Sequence, residues 1–375
     1  MAHHYVYADK DATILRGANQ SGTSSLQNFG LDEVLEVGKT FQVDSTNIAS
    51  ITRALIKFPL TEISKSIVNG EIPATAKYYL NMYDAGTREL NISQSLKIYA
   101  VSQSWVEGSG KHSDDPPTSD GVSWKFRNGQ LSGTPALEEW SSGSVDGYGA
   151  TYFSGSTYTA SVAFNKDDKA DMRVDVTNIV GSWLGGATTI PNEGFLISRT
   201  DADEVNDAIY GQFRFFSADT HTVFRPKLEV EWDDAVWVTG SLSPLSQSDL
   251  ENLLLYTKSF KSEYKLGSIS KVRVCGREKY PTRTFATSSV YLDAKYLPSG
   301  SSFYSVVDTK TEDVLIPFGS GSKLSCDSTG NYFHLRTGGL EPERFYKLVF
   351  KVVSGSGVNR TEDYYDDGYT FKVVR

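Results

Sequence analysis

The sequence predicts a nearly all-β protein, in which a larger N-terminal, jelly-roll-like β-sandwich is followed by a smaller immunoglobulin-like β-sandwich. Three observations predict it: alternating apolar and polar residues dominate the chain, turn-forming stretches separate the alternating runs, and helical periodicity is scarce. Composition agrees. There are 32 Gly, 21 Tyr and 19 Phe against 3 Met, which suits pleated strands joined by tight turns.

A period of two places every second side chain on one face of a sheet, so each alternating run reads as a half-buried strand. Leu96 to Val101, Met172 to Val176, Lys227 to Trp232 and Lys347 to Val353 are of this kind. Between such runs, Ser141 to Gly149 and Ser154 to Thr157 carry residues that tolerate turn geometry and fill no core. Helical spacing is found at Leu60 to Val68 and at Ile179 to Leu184. At Ser248 to Tyr256, with Ser248 or Asp249 as cap, helix and strand read equally well.

A chain of 375 residues exceeds what one core usually serves, so two or three domains are expected. Composition shifts after Trp232-Asp233-Asp234, where Val236 to Ser248 carries Gly, Pro and four Ser. The expected organisation is therefore a sandwich over 1–234, a linker over 235–248 and a second sandwich over 249–375.

A net charge of −9 argues against binding along a nucleic-acid backbone, which demands clustered Lys and Arg. Cys275 and Cys326 are too few and too far apart for a disulfide scaffold or a zinc site, and read as buried thiols. Met1 to Lys10 holds no apolar leader core, and no stretch is apolar for the length of a membrane span. The expectation is synthesis and folding in a cytosol, with no membrane partner. Asn19, Asn91 and Asn359 then act as ordinary loop residues.

Within 1–234 the signals follow a definite order. Asp11-Ala12-Thr13-Ile14, Asn28-Phe29-Gly30 and Leu35-Glu36-Val37-Gly38 precede Thr52-Arg53-Ala54-Leu55-Ile56-Lys57-Phe58-Pro59-Leu60. Trp105-Val106-Glu107-Gly108, Gly121-Val122-Ser123-Trp124 and Trp140 come next, then Val174-Asp175-Val176-Thr177 with Trp183. Asn192 to Ile197 and Arg225 to Trp232 close the series. This succession resembles the DNRLRE-type β-sandwich, a domain akin to carbohydrate-binding modules and found also in cell-surface and phage structural proteins. The resemblance implies that Arg53 precedes a strand whose Leu55, Phe58 and Leu60 face the core. It implies also that Ile179 and Trp183 lie on one short helix plugging an end of the sandwich.

In the C-terminal part, Leu340-Glu341-Pro342-Glu343-Arg344-Phe345-Tyr346 runs directly into the alternating strand Lys347 to Val353, which is a tyrosine-corner pattern. Tyr346 should turn its hydroxyl back to a loop carbonyl at a corner shaped by Leu340 and Pro342. Further strands are expected at Ile269 to Val274, Ser289 to Tyr296, Phe303 to Val307, Val314 to Phe318, Tyr332 to Leu335 and Tyr369 to Val374. Glu341 to Val353 and Arg277 to Pro281 also resemble domains of phage virion proteins.

Each residue set that could carry chemistry has a structural reading beside it. Asp114, Asp115 and Asp120, flanked by Trp105 and Trp124, offer the carboxylates of a glycosidase, but a pair before Pro116-Pro117 reads as a solvated loop. Asp201, Asp203, Glu204 and Asp207 place hard oxygens close together, as calcium requires, or form a hydrated acidic hairpin. The same two readings hold for Asp363, Asp366 and Asp367. Trp105, Trp124 and Trp140 could stack on a sugar or could seal the core. His3, His4, His112, His221 and His334 show no zinc spacing beyond the N-terminal pair, no Gly-x-Ser-x-Gly elbow occurs, and Gly319 to Lys323 lacks the full phosphate-loop spacing. No catalytic residue and no cofactor other than calcium is expected.

Taken with the resemblance, these features point to a non-enzymatic bacteriophage virion protein of the tail, neck, baseplate or capsid decoration, assembled in the host cytoplasm. Its partners would be other virion proteins and further copies of itself. The alternative expectation is a carbohydrate-binding module that recognises a surface polysaccharide of the host.

Overall fold

The computed structural model describes residues 2–17, 25–41, 49–87, 93–129, 137–141, 148–165, 170–185, 189–245, 252–280, 295–355 and 357–375. The chain is all-β in class, and the described residues include three short α-helices at Thr61–Val68, Thr177–Trp183 and Asp201–Val205. It forms two compact units. The larger comprises Val6–Ile72 and Lys77–Glu229, and the smaller Met1–Tyr5, Pro73–Ala76 and Val230–Arg375.

The main sheet of the larger unit runs in the order Gly211–Phe216, Val34–Phe41, Ala49–Lys57, Phe195–Arg199, Gln94–Ala100, Thr159–Phe164, with Lys10–Arg16 also paired to Ala49–Lys57. Its strands pair antiparallel, with Leu55, for example, opposite Leu196 and Ala12. A second sheet includes Lys227–Trp232, Lys77–Met82 and Met172–Asp175 in that order. Period-two burial is plain in Gln94–Ala100 and Gly211–Phe216, where alternate residues are buried. Ala49–Lys57 differs: its seven inner residues are all buried. Arg53 thus lies inside this strand instead of preceding it, and it is buried despite its charge.

The two longer helices sit where their periodicity placed them. On Thr177–Trp183 both Ile179 and Trp183 are buried, and the Trp183 ring packs against Phe195 of the main sheet at 4.7 Å. Thr61–Val68 buries only Ile63 and carries the exposed pair Glu62 and Lys65 on its outer side. Over Ser248 to Tyr256 the described residues form a strand, Leu253–Lys258, while 248–251 lie outside the described residues. So do Asn19, Asn91, 142–147 of the expected Ser141 to Gly149 turn, and all of the Ser289 to Tyr296 strand except Lys295 and Tyr296.

In the smaller unit one sheet runs Leu253–Lys258, Ile269–Glu278, Gly330–Arg336, Ser325–Asp327. The other runs Glu263–Lys265, Thr370–Val374, Phe345–Ser354, Ser302–Asp308, Val314–Ile316, with Thr361–Tyr365 also paired to Phe345–Ser354. In chain order this is the ABED and GFC strand arrangement of an immunoglobulin sandwich. No disulfide joins the sheets; Cys275 and Cys326 are free and buried. Aromatic packing stands in that place, with the fully buried Tyr304 stacked on Phe333 at 4.1 Å.

The expected linker over 235–248 is not a linker in its described part. Cys326 N donates to Val236 O at 2.8 Å, Val238 N to Cys326 O at 2.9 Å, and Leu245 N to Tyr296 O at 3.1 Å. Gly, Ser and Pro mark turns here, but the residues between them keep free backbone groups and apolar side chains. Leu245 accordingly joins the core of the smaller unit.

Candidate functional site

Trp105, Trp124 and Trp140 come together in one buried cluster of the larger unit, with Ala12, Ile14, Leu55, Val122 and Leu196. Each is only 3% exposed. Two of the ring nitrogens are bonded to the backbone as well: Trp105 Nε1 donates to Glu193 O at 2.9 Å and Trp140 Nε1 to Ser123 O at 3.1 Å. The Arg53 guanidinium lies 4.8 Å from the Trp124 ring centre. These faces are occupied by protein, so the expected sugar platform is absent from this surface and the three rings seal the core.

The acidic stretch after residue 200 is a helical turn, not a hairpin. Thr200 caps it, its hydroxyl accepting from Asp203 N at 3.2 Å. Glu204 faces inward and forms a bidentate pair with Arg53, with Nε at 3.1 Å from Oε1. Lys39 fills the next position, its ammonium donating to Asp203 O at 2.9 Å and to Asn206 O. The carboxylates of Asp201, Asp203 and Asp207 do not all meet within 4.8 Å of one another, Glu204 is taken by Arg53, and the Lys39 ammonium sits beside Asp207, Glu204 and Asp203. The calcium expectation at these residues is therefore corrected.

Of the other acidic candidates, Asp363 lies on the strand Thr361–Tyr365, and Asp114, Asp120 and Asp366 are engaged with protein groups. Asp114 Oδ2 accepts from Lys111 N at 2.8 Å and Thr118 Oγ1 at 2.7 Å, and these bonds hold its carboxyl below the usual range. Asp120 accepts from Ser109 N and Oγ at 3.1 and 2.8 Å. Asp366 pairs with Lys347 at 2.6 Å. In the smaller unit the Tyr346 hydroxyl donates to Glu341 O at 2.9 Å, beside the buried Leu340 and the half-buried Pro342.

None of these sets forms an open site, but a cleft of about 360 Å³ does open in the larger unit. Its wall combines Thr13, Glu36, Thr52 and Arg214, from four different strands, with Phe29, Asp32, Glu33 and His112 from the loops. Arg214 pairs with Glu36 at 3.1 Å, and Gln212 Nε2 donates to Glu36 Oε2 at 2.6 Å. Asp32 accepts from His112 N at 3.0 and 3.2 Å, and burial pushes its carboxyl up. The His112 ring stacks on Phe29 at 5.9 Å. Two polar groups are left over: Thr52 Oγ1, on a residue 5% exposed, and Arg214 Nε are buried with no hydrogen-bond partner among the described residues. Buried polar groups are ordinarily satisfied, so their pairing to a bound hydroxyl or water is the chemistry this wall offers.

The sequence reading passed over this cleft. Thr52, Glu36 and Arg214 occupy the polar positions of alternating strands, where a solvent-facing residue and a cleft residue look alike. The one available signal was that Thr52 and Arg53 interrupt a run whose other residues from Ile51 to Ile56 are apolar.

No family model and no curated protein matches the chain. Among solved structures it is similar to a DUF4785 family protein from Legionella pneumophila, with 8% identity and a TM-score of 0.20, the alignment covering 99% of this chain and 65% of that one. This chain thus spans about two thirds of the length of that structure, and a likeness so slight bears on neither fold nor function.

Proposed function

We propose that the protein is a non-enzymatic structural component of a bacteriophage virion, of the tail, neck, baseplate or capsid decoration, which holds its neighbours through sheet edges. The strand Thr159–Phe164 carries this reading. It ends the main sheet of the larger unit, and its residues Thr159-Ala160-Ser161-Val162-Ala163-Phe164 include no charge and no proline. Monomeric proteins ordinarily blunt such an edge with Lys, Pro or a bulge, since its free N–H and C=O groups template an added strand. Beside it a groove of about 250 Å³ is lined by Thr159 and Ala160 on one side and by Asp175, Thr177 and Asn178 on the other. A strand of a neighbouring virion protein, or of a second copy of this chain, is the occupant that suits it.

Virions purified by density gradient and analysed by mass spectrometry test the assignment. The protein should band with them, and Val162→Lys should strongly reduce its incorporation while leaving the melting temperature near wild type. Absence of the wild-type chain from purified particles would defeat the reading.

A second reading, recognition of a host surface polysaccharide, is favoured by the cleft at Thr52, whose unpaired hydroxyl and neighbouring carboxylates suit a polyhydroxylated ligand. Glycan-array binding that disappears in Thr52→Val would support it. An array without signal for the wild-type protein would remove it.

A further inference from the structure

A second acidic constellation of the larger unit was not singled out by the sequence. Asp11 lies on the strand Lys10–Arg16, Glu107 follows Trp105 in a loop, and Asp219 lies in the loop after the strand Gly211–Phe216. Far apart in the chain, they converge so that one carboxylate oxygen of each is within 4.8 Å of the other two.

Their hydrogen bonds leave a specific deficit. Asp11 is fully buried, and its Oδ2 accepts from Ala218 N at 2.6 Å. Its Oδ1 is buried too, and has no partner among the described residues. Glu107 Oε1 accepts from Asp11 N at 2.7 Å. The nearby cations are engaged elsewhere: the Lys10 ammonium donates to Trp105 O and lies 4.1 Å from the Trp105 ring centre, while Arg225 Nε donates to Ala218 O at 3.0 Å. Asp9 adds a further negative charge near Glu107.

Three carboxylates crowded around an unsatisfied buried oxygen are unfavourable in their charged form unless something positive lies between them. We propose that Asp11, Glu107 and Asp219 bind a divalent cation of the calcium type, which ties the start of the Lys10–Arg16 strand to two loops. Only oxygen donors are offered, which suits a hard cation and disfavours zinc or copper. Calcium takes roughly six to eight oxygens in adaptable geometry, so water completes the shell on the open side, where Asp219 is exposed. Magnesium, which demands near-ideal octahedral geometry, fits three unequal carboxylates less well.

The test is titration calorimetry of the full chain, stripped with EDTA, against calcium chloride and, in parallel, magnesium chloride, together with melting curves in both salts. One calcium should bind, the melting temperature should rise by several degrees, and magnesium should bind more weakly. Asp219→Asn, at an exposed position that leaves folding intact, should lower calcium affinity at least about tenfold by removing one charged ligand. Asp201→Asn should bind as wild type does. The proposal is overturned if the wild-type chain shows neither binding heat nor a melting shift, if Asp219→Asn retains full affinity, or if Asp201→Asn loses it.

Discussion

Arg53 and Glu204 form a bidentate ion pair inside the larger unit, with both side chains at most 1% exposed. The same guanidinium donates to Gly149 O and covers the Trp124 ring. Gly149 has a φ of 85°, and a Cβ there would come within 2.7 Å of Trp124, so backbone, aromatic ring and charge are fitted to one another.

Removing one partner of such a pair leaves the other charge buried and unpaired. Glu204→Ala should destabilise the larger unit by about 3–5 kcal/mol, whereas Arg53→Met combined with Glu204→Leu should recover most of that loss. Urea denaturation of the single and double variants checks it, and equal losses in the two would show that charge pairing is not the cause.

The tyrosine corner gives a smaller and more local effect. Tyr346→Phe keeps the ring against Phe371 but leaves Glu341 O without its donor, at a cost of about 1–2 kcal/mol. The unfolding transition of the smaller unit should move to lower denaturant with its slope unchanged. Burial pushes the Tyr346 and Tyr304 phenols up, so in an alkaline absorbance titration both should ionise after the exposed tyrosines.

Neither cysteine should react while the chain is folded. Burial pushes the Cys326 thiol up to about 11 and raises Cys275 as well, and both side chains are enclosed. At pH 8 a thiol reagent should titrate no thiol in the native protein and two in guanidinium chloride. Rapid native labelling would mean that one of the two is accessible.

Acid should weaken the smaller unit through two histidines. Burial, and the charge of Arg336 beside each, hold His4 and His334 below the ordinary imidazole value. Between the two values the unfolded chain binds more protons than the folded one. Their contribution is therefore complete above about pH 6.5 and is lost as pH falls below it. Melting temperatures measured at pH 7.5 and 5.0 should fall toward acid, and by less in a His4→Gln, His334→Gln variant. An identical pH dependence in the variant would assign the loss to other groups.

What could be read from the sequence followed the range of the interaction. Alternation is local, so Gln94–Ala100 and Phe345–Ser354 were legible as strands, and the seven residues from Leu340 to Tyr346 were enough to announce the corner. The partner of Glu204 was not legible, because Arg53 lies 151 residues away and reaches it only through sheet register. Acidic residues close in sequence drew attention to Asp201 and Asp207, while Asp11, Glu107 and Asp219 are neighbours only in space. Tryptophans near turns could either stack on a sugar or seal the core, and only the packing of Val122 and Leu196 around them decides between the two.

The smaller unit draws on both early and late parts of the polypeptide. The Tyr5 hydroxyl donates to Leu315 O across 310 residues, and Gly339 lacks the side chain that would collide with the Tyr5 ring. On the ribosome, Tyr5 emerges long before these partners are synthesised, and the whole larger unit is translated in between. The smaller unit must therefore complete its folding after the larger one is made, by recapturing a segment synthesised before it.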